Sequence, residues 1–415
     1  MSQPISQLRQ RSPIPKHGWS RELEDVRGEL AITGVGESEY SGASGRDNRQ
    51  MALEAIEKAI ADAGLKPSDV DGLMVTAHVA DQIDEADFHR YFGTSHKLWL
   101  SHEGGAMTWA ATSAHEAALA MRAGLCRHVI NVFAVDWASR RVDGRGTPGD
   151  YHASEPGKAQ FEIPFGWYPQ PLYFASFAHR HMHEYGTTEA DLGELACTFR
   201  QHANGHPGAV MHEKTLTLEQ YLQKPNLCTP FRKEDCCLVS DGAAAVLYSH
   251  RDAWPDTAKV PVTVEGVGYG SIDSAPYISQ HPDITTTPQA YAAPWAYAMA
   301  DISAADIDVI GVYDCFSGTC MMQIEDMGFC DKGAGGELIR GGGLHYSRPK
   351  GKQGIPCNTH GGLMSHAYVL GIAHVVELVR QLRGEAHNQV GNAKVAAYAG
   401  FTAAEASTLI LRTAS

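Results

Sequence analysis

An α/β fold assembled from two similar halves is predicted by three features of this 415-residue sequence. Strand-like and helix-like segments alternate from Glu29 onward. A pattern of helix end, turn and strand start occurs twice. A Gly-Gly-x-Met turn leading into a helix also occurs twice, at the same place in each half. Two matching units in the same order point to duplication, and the alternation points to an α/β core.

The segment Glu29 to Val35 predicts a strand, closed by Gly34 and Gly36. Beyond it, Leu53, Ile56, Ile60 and Ala63 recur at spacings of three and four. That is one face of a helix, and Gly64 ends it. Val70 to Val75 is the second strand. Ala59-Ile-Ala-Asp62 leads through Asp69-Val-Asp71 into that strand, as Ala298-Met-Ala-Asp301 leads through Asp306-Ile-Asp308 into Ile310 and Val312. Gly104-Gly105-Ala-Met107 precedes a helix carrying Ala114-His115 and Leu119 and ending at Gly124. Gly361-Gly362-Leu-Met364 precedes one carrying Ala373-His374 and Leu378 and ending at Gly384.

The expected organisation is a polar extension over 1–28, a first half over 29–257 and a second half over 258–415. An insertion at about 139–235 interrupts the first half. It holds Phe161, Phe165, Trp167, Tyr168, Tyr173 and Phe174, and a helix capped by Thr188 with Asp191 at its third position. Leu192, Leu195 and Phe199 form that helix's apolar face. Two readings of the insertion stay open: a lid over a binding site, or an ordinary packing subdomain.

Composition excludes several classes. Net charge is −14, which disfavours a nucleic-acid partner, and Arg140-Arg141 and Lys350-Gly351-Lys352 are too short to offset it. No run of 18 apolar residues occurs, so no membrane span is expected. The segment Met1 to Leu30, with Arg9, Arg11, Pro13 and Pro15, lacks the apolar stretch of a signal peptide, and a cytoplasmic location is expected. Nine scattered cysteines make a poor disulfide framework and fit a reducing compartment. With no Cys-x-x-Cys pair, no structural zinc and no resident cofactor are expected in this chain.

Chemistry-bearing residues gather in two places. Ile307 to Ser317 reads as a buried strand ending in Tyr313-Asp314-Cys315-Phe316, where a strand end can present reactive groups. The second place is Asn358-Thr-His360-Gly-Gly362-Leu-Met-Ser-His366-Ala-Tyr368. The amides of Gly361 and Gly362, with Asn358, are candidates to face a ligand oxygen. Three further features read as structural. His179 and His183 share a helix face but lack a third metal ligand. Cys236 and Cys237 mark a strand entry. The glycine-rich run Gly333 to Gly343 has no nucleotide-binding spacing and reads as a mobile loop.

The segments ITGVGESEY, PLYFASFAHRHMHEYGTT, PFRKEDCCLVSDGAAAVL, VYDCFS and NTHGGLMSHAYVLG together resemble the thiolase superfamily. Within it they are most similar to the sterol-carrier-type thiolases and their thiolase-like "lipid-transfer" relatives. The resemblance spans about residues 29–413 and implies a five-layered αβαβα fold of two similar halves. Departures from the thiolase pattern are informative. The nucleophilic cysteine's position falls at Met107 or Thr108, and no Cys precedes Cys126. The His-Asp-Cys-Phe motif appears as Tyr313-Asp314-Cys315-Phe316, and Tyr368 stands at the second histidine position.

Two tyrosines in these places resemble the retro-aldolases that cleave β-hydroxyacyl-CoA thioesters in steroid side-chain degradation. The resemblance implies a carbon–carbon lyase acting on a bulky acyl-CoA, a steroid among the candidates, with coenzyme A entering as part of the substrate. Tyr313 and Tyr368 would be the acid–base pair, with Cys315, His366 and Asp314 as secondary candidates. A phenol has an unperturbed pKa of about 10. A tyrosine base must therefore be shifted down by donors or a cation, or work within a proton relay. The resemblance also implies a homodimer and a small partner with an OB-fold and a zinc ribbon, giving an α2β2 complex whose zinc lies in the partner. Two alternatives remain at this point: acyl transfer or thiolysis using Cys315, and a non-catalytic lipid-binding subunit.

Overall fold

The computed structural model describes residues 17–77, 79, 81–145, 156–273, 281–348 and 354–414. The start of the polar extension, with Arg9, Arg11, Pro13 and Pro15, and Lys350-Gly351-Lys352 lie outside the described residues.

The strands of the main sheet are β1 (Gly18–Ser20), β2 (Leu30–Glu37), β3 (Gly72–Met74), β4 (Trp99–Ser101), β5 (His128–Asp136), β8 (Asp241–His250), β9 (Val262–Ile272), β10 (Val309–Val312), β11 (Val395–Phe401) and β12 (Glu405–Thr413). A separate hairpin in the insertion pairs β6 (Asn226–Cys228) with β7 (Phe231–Arg232). The main sheet runs β10-β11-β12-β9-β2-β8-β5-β3-β4, with β1 added beside β9.

The duplication is visible in this order. The first half is arranged β3-β5-β8-β2 and the second β10-β11-β12-β9, so each half places its second, third, fourth and first main strand side by side. Within both, the first of these pairs is parallel and the others are antiparallel. The halves join where β2 meets β9 through Ala31 with Thr263 and Ile32 with Val262.

Helices build the other layers. Helix Asn48–Ala63 covers β2, β5 and β8, and helix Gln289–Ala300 covers β9 and β12 on the far side. Helices Trp109–Arg122 and Ile372–Arg383 each touch strands of both halves and form the middle layer. Ala110, Ala111, Ala114, Ala117 and Ala118 are buried in the first of these. Such small side chains let one helix contact two sheet surfaces at once. The five layers implied by the resemblance are thus present.

One strand feature differs from expectation. Gly34 and Gly36 do not close the first strand; they lie inside β2. A Cβ on either would overlap a backbone carbonyl of helix Asn48–Ala63, at Ala59 or Ala55. Gly266 and Gly268 in β9 meet the carbonyls of Ala296 and Ala292 in the same way. Glycine here seats a helix close against a strand, once per half.

The insertion contributes to the packing of the core. Helices Gln170–Tyr185 and Glu189–Asn204 pack into the main core, with Phe174 stacked on Phe316 at 4.7 Å between ring centroids. Phe161 and Phe165 are 74% and 82% exposed. Thr188 caps its helix and accepts a hydrogen bond from Asp191 N, as its spacing predicted. The glycine-rich run is a correction. Gly335–Arg340 is a helix, because Gly335 N donates to buried Glu325 and Arg340 pairs with Asp191. His179 and His183 are exposed, while His181 between them is buried and bonds Glu325 and Thr187.

Candidate active site

The end of β10 and the Gly-Gly turn meet to make the candidate site. The strand's extended run continues past Val312, and Tyr313 N donates to Ala399 O at 2.9 Å. Successive side chains then point to opposite sides. Asp314 turns toward the Gly-Gly turn, where its carboxylate accepts from Leu363 N at 2.9 Å and Met364 N at 3.2 Å. It also accepts from His374 Nε2 at 3.0 Å. Gly362 has φ +64°, and a Cβ there would overlap Asp314 Oδ2. The turn can close over the carboxylate only with glycine at this position.

Tyr313 points the other way and meets Tyr368. Their hydroxyl oxygens are 3.5 Å apart, at the long limit of a hydrogen bond. Both rings are buried, 3% and 9% exposed. Tyr368 is held by its backbone N–H, which donates to Ser240 Oγ at 2.8 Å, and by Trp137, whose ring lies 5.3 Å away. Burial pushes both phenols well above the ordinary tyrosine range; Tyr368 raises Tyr313 further, whereas the contact from Tyr313 works against the rise at Tyr368. No Lys or Arg among the described residues bonds either hydroxyl, so the downshift that an isolated tyrosine base would need is not built here.

Two thiols lie close to the tyrosines. Cys315 Sγ lies 3.8 Å from Thr319 Oγ1, and burial pushes its thiol up to about 12. Cys237, read from sequence as a structural strand-entry residue, has its side chain beside the hydroxyl of Tyr368. Its backbone N–H donates to Cys315 O at 2.9 Å. Burial raises the Cys237 thiol as well. Neither sulfur is therefore a thiolate nucleophile at neutral pH.

The position matching the thiolase nucleophile is beside the site. Met107 has φ +54°, its N–H donates to Leu370 O at 2.6 Å, and its carbonyl accepts from Tyr398 Oη at 2.8 Å. Of the two residues at that position, Met107 carries no nucleophile, and Thr108 is buried with its carbonyl accepting from Ser407 Oγ at 2.8 Å.

The remaining sequence candidates are placed elsewhere in the local structure. Asn358 accepts from Val312 N and donates to Val312 O, both at 2.8 Å, so its amide extends the β10 pairing rather than facing a ligand. Gly361 N donates to Asn358 O, and Gly361 packs on Ala203. The backbone donors offered by this turn, Leu363 N and Met364 N, are taken by Asp314. His366 points away from the tyrosines, between His206 and His360 at 4.7 and 4.8 Å.

Residues 270–413 match the family model described as the thiolase C-terminal domain-like domain. A protein of Thermomonospora curvata named steroid side-chain-cleaving aldolase is 33% identical over 92% of this chain and 98% of its own. The chain belongs to the thiolase superfamily, as an enzyme of its sterol-carrier-type, thiolase-like aldolase branch. A second member, from Mycobacterium tuberculosis, is named 17-hydroxy-3-oxo-4-pregnene-20-carboxyl-CoA lyase. It is 32% identical over 93% of this chain and all of its own length. Among solved structures, the one titled Ltp2-ChsH2(DUF35) aldolase superposes with a TM-score of 0.84 at 32% identity, covering 94% of this chain and 99% of that one. Among the described residues of this family member, no helix is long and apolar enough to cross a membrane.

Proposed function

We propose that the protein cleaves a bulky, steroid-type β-hydroxyacyl-CoA by a retro-aldol reaction, releasing a ketone or aldehyde and a shorter acyl-CoA. The observation that carries this reading is the approach of the Tyr313 and Tyr368 hydroxyls to 3.5 Å, with the nearby Cys315 thiol held neutral by burial. The names of the two similar proteins support the reaction class.

The chemistry balances without a covalent intermediate. The β-hydroxyl proton leaves to one tyrosine oxygen as the bond between the α and β carbons breaks. The electron pair moves into the thioester as an enolate. The first tyrosine passes its own proton to the second, which protonates the α carbon. Both phenols begin and end neutral, which agrees with the burial that disfavours a resting phenolate. A relay of this kind is the route open to two tyrosines with no cation beside them. Acyl transfer through Cys315 would instead require a buried thiol to ionise, which its surroundings oppose.

The reading includes assembly. The homodimer and the OB-fold, zinc-ribbon partner implied by the resemblance give an α2β2 enzyme. The two-component title of the similar solved structure supports a partner subunit. Co-expression with the neighbouring reading frame, followed by size-exclusion chromatography and mass spectrometry of both products from a panel of β-hydroxyacyl-CoAs, tests the whole reading. A ketone or aldehyde plus an acyl-CoA shortened accordingly is expected. Thiolysis products, or a homodimer fully active and indifferent to any partner, would replace it in the corresponding part.

A further inference from the structure

On the side of the turn opposite the tyrosines, five histidine rings stand in a row. His387 is exposed. Its ring centroid lies 4.5 Å from that of His206, which lies 4.7 Å from His366. His366 lies 4.8 Å from His360, and His360 lies 4.8 Å from His374. Every step is edge to face, and the four inner rings are buried. The outer end opens into a groove of about 740 Å³ that Glu37, Tyr40, His206, His366, Arg380 and His387 help to line. The inner end is the bond from His374 to Asp314.

The nitrogens of this row are unusual. His206 Nε2, both nitrogens of His360 and of His366, and His374 Nδ1 are buried without a hydrogen-bond partner. Buried polar atoms are ordinarily paired, and six such atoms in one line are costly unless they have a task. Among the described residues they form no group able to hold a metal ion. The tautomer of His374 is fixed by its neighbours. Its Nε2 faces two oxygens, Val312 O and Asp314 Oδ1, each at 3.0 Å, so it carries the hydrogen and Nδ1 is an acceptor. That acceptor has no partner of its own, and the His374 ring stands edge to face with His360. The ring of His374 also faces Tyr398 at 6.2 Å, and the Tyr398 hydroxyl and the Tyr313 ring both border Gly371. The row therefore ends against the wall behind Tyr313.

We infer that this row is a proton-exchange route between the groove and the candidate active site. A neutral imidazole holds a proton on one nitrogen and accepts on the other, so small ring movements can hand protons along the line. The tyrosines themselves are buried, with Trp137 over Tyr368, and have little direct contact with water. This inference rests on the retro-aldol reading, and the two are separable. Cleavage is proton-neutral, because the hydroxyl proton ends on the α carbon. Exchange of the α-hydrogen of the product is different. There the C–H bond breaks, its electrons enter the thioester enolate, the proton leaves through the tyrosines, and a solvent proton must replace it.

The test uses the co-expressed complex with propionyl-CoA in D2O, following α-deuteration by mass spectrometry beside cleavage of a β-hydroxyacyl-CoA. His360→Phe interrupts the row at its centre. His206→Ala opens it at the groove, where added imidazole can take the missing ring's place. Thermal melting identifies any variant that fails to fold, and the other then decides. Deuteration is expected to fall at least tenfold with cleavage within threefold, and imidazole to restore deuteration in His206→Ala. Deuteration that keeps pace with cleavage in the folded variants overturns the route. So does a wild-type complex that cleaves without exchanging. A wild-type complex that does not cleave at all overturns the retro-aldol reading and the route with it.

Discussion

His374 donates its Nε2 hydrogen to Asp314 at 3.0 Å, and neither side chain has any surface exposed to solvent. With Leu363 N and Met364 N, this makes Asp314 the acceptor around which the second-half turn is folded. Asp314→Asn keeps the shape but replaces one acceptor by an NH2 facing a donor. Breaking a buried bonded charge in this way costs on the order of 3 kcal/mol. Chemical denaturation should show a loss of about that size, with activity falling alongside it. A variant as stable as the wild type would mean that Asp314 does not organise the turn.

Removing either tyrosine hydroxyl should be felt in turnover and not in folding. Tyr313→Phe and Tyr368→Phe are each expected to lower kcat by about 10²-fold or more, the usual scale for a general acid or base. Neither hydroxyl bonds the backbone in the structure, so melting should stay near that of the wild type. Full activity in either variant removes that tyrosine from the relay.

The thiols should be dispensable as nucleophiles. Cys315→Ala is expected to keep activity within a few-fold, and intact-protein mass spectrometry after substrate addition should find no acyl adduct. An acyl-cysteine at 315 would move the protein to the thiolysis class. Cys237→Ala should have the larger effect of the two, because that thiol lies beside the hydroxyl of Tyr368.

Acid should destabilise the protein through its buried histidines. Burial lowers His202 and His366 to about 3 and His206 to about 4. Unfolded, each would titrate near 6.5. Below that pH the unfolded chain binds more protons than the folded one, so stability is full above 6.5 and falls as pH drops toward 4. Each group contributes up to about 1.4 kcal/mol per pH unit in that window. Melting temperature followed from pH 7.5 to 4.5 should decline accordingly, and His366→Phe should flatten the decline. A pH-independent melting curve would show that these rings bind protons as readily in the folded state as in the unfolded chain.

Much of this architecture could be read from residue order, because duplication repeats short local patterns. Ala59 to Asp71 and Ala298 to Asp308 each hold a helix end, a 3-10 turn and a strand entry, and those patterns need no tertiary knowledge. The proximity of Tyr313 and Tyr368 was legible only through the family pattern that places both. Residue type misled where a polar side chain serves the backbone. Asn358 looks like a ligand donor in sequence, yet Val312 takes both ends of its amide. Cys237 was missed because its neighbour in space is 78 residues away in the chain, joined by the bridge between Cys236 and Phe316. The histidine row had no sequence signal at all. Its members come from the region after helix Glu189–Asn204, from the Gly-Gly turn, from helix Ile372–Arg383 and from the segment after it, and only folding aligns them.

The two halves share one strand order, yet they have not inherited equal duties. The turn at Gly104-Gly105 ends in Met107, which offers its neighbours only backbone, through Leu370 and Tyr398. The turn at Gly361-Gly362 and the strand end before it supply both phenols and the carboxylate beneath them. On the retro-aldol reading, the division concentrates mutational risk: a change in the second copy's turn reaches the phenols themselves, while a change in the first reaches them through supports such as Ser240, which holds the Tyr368 backbone.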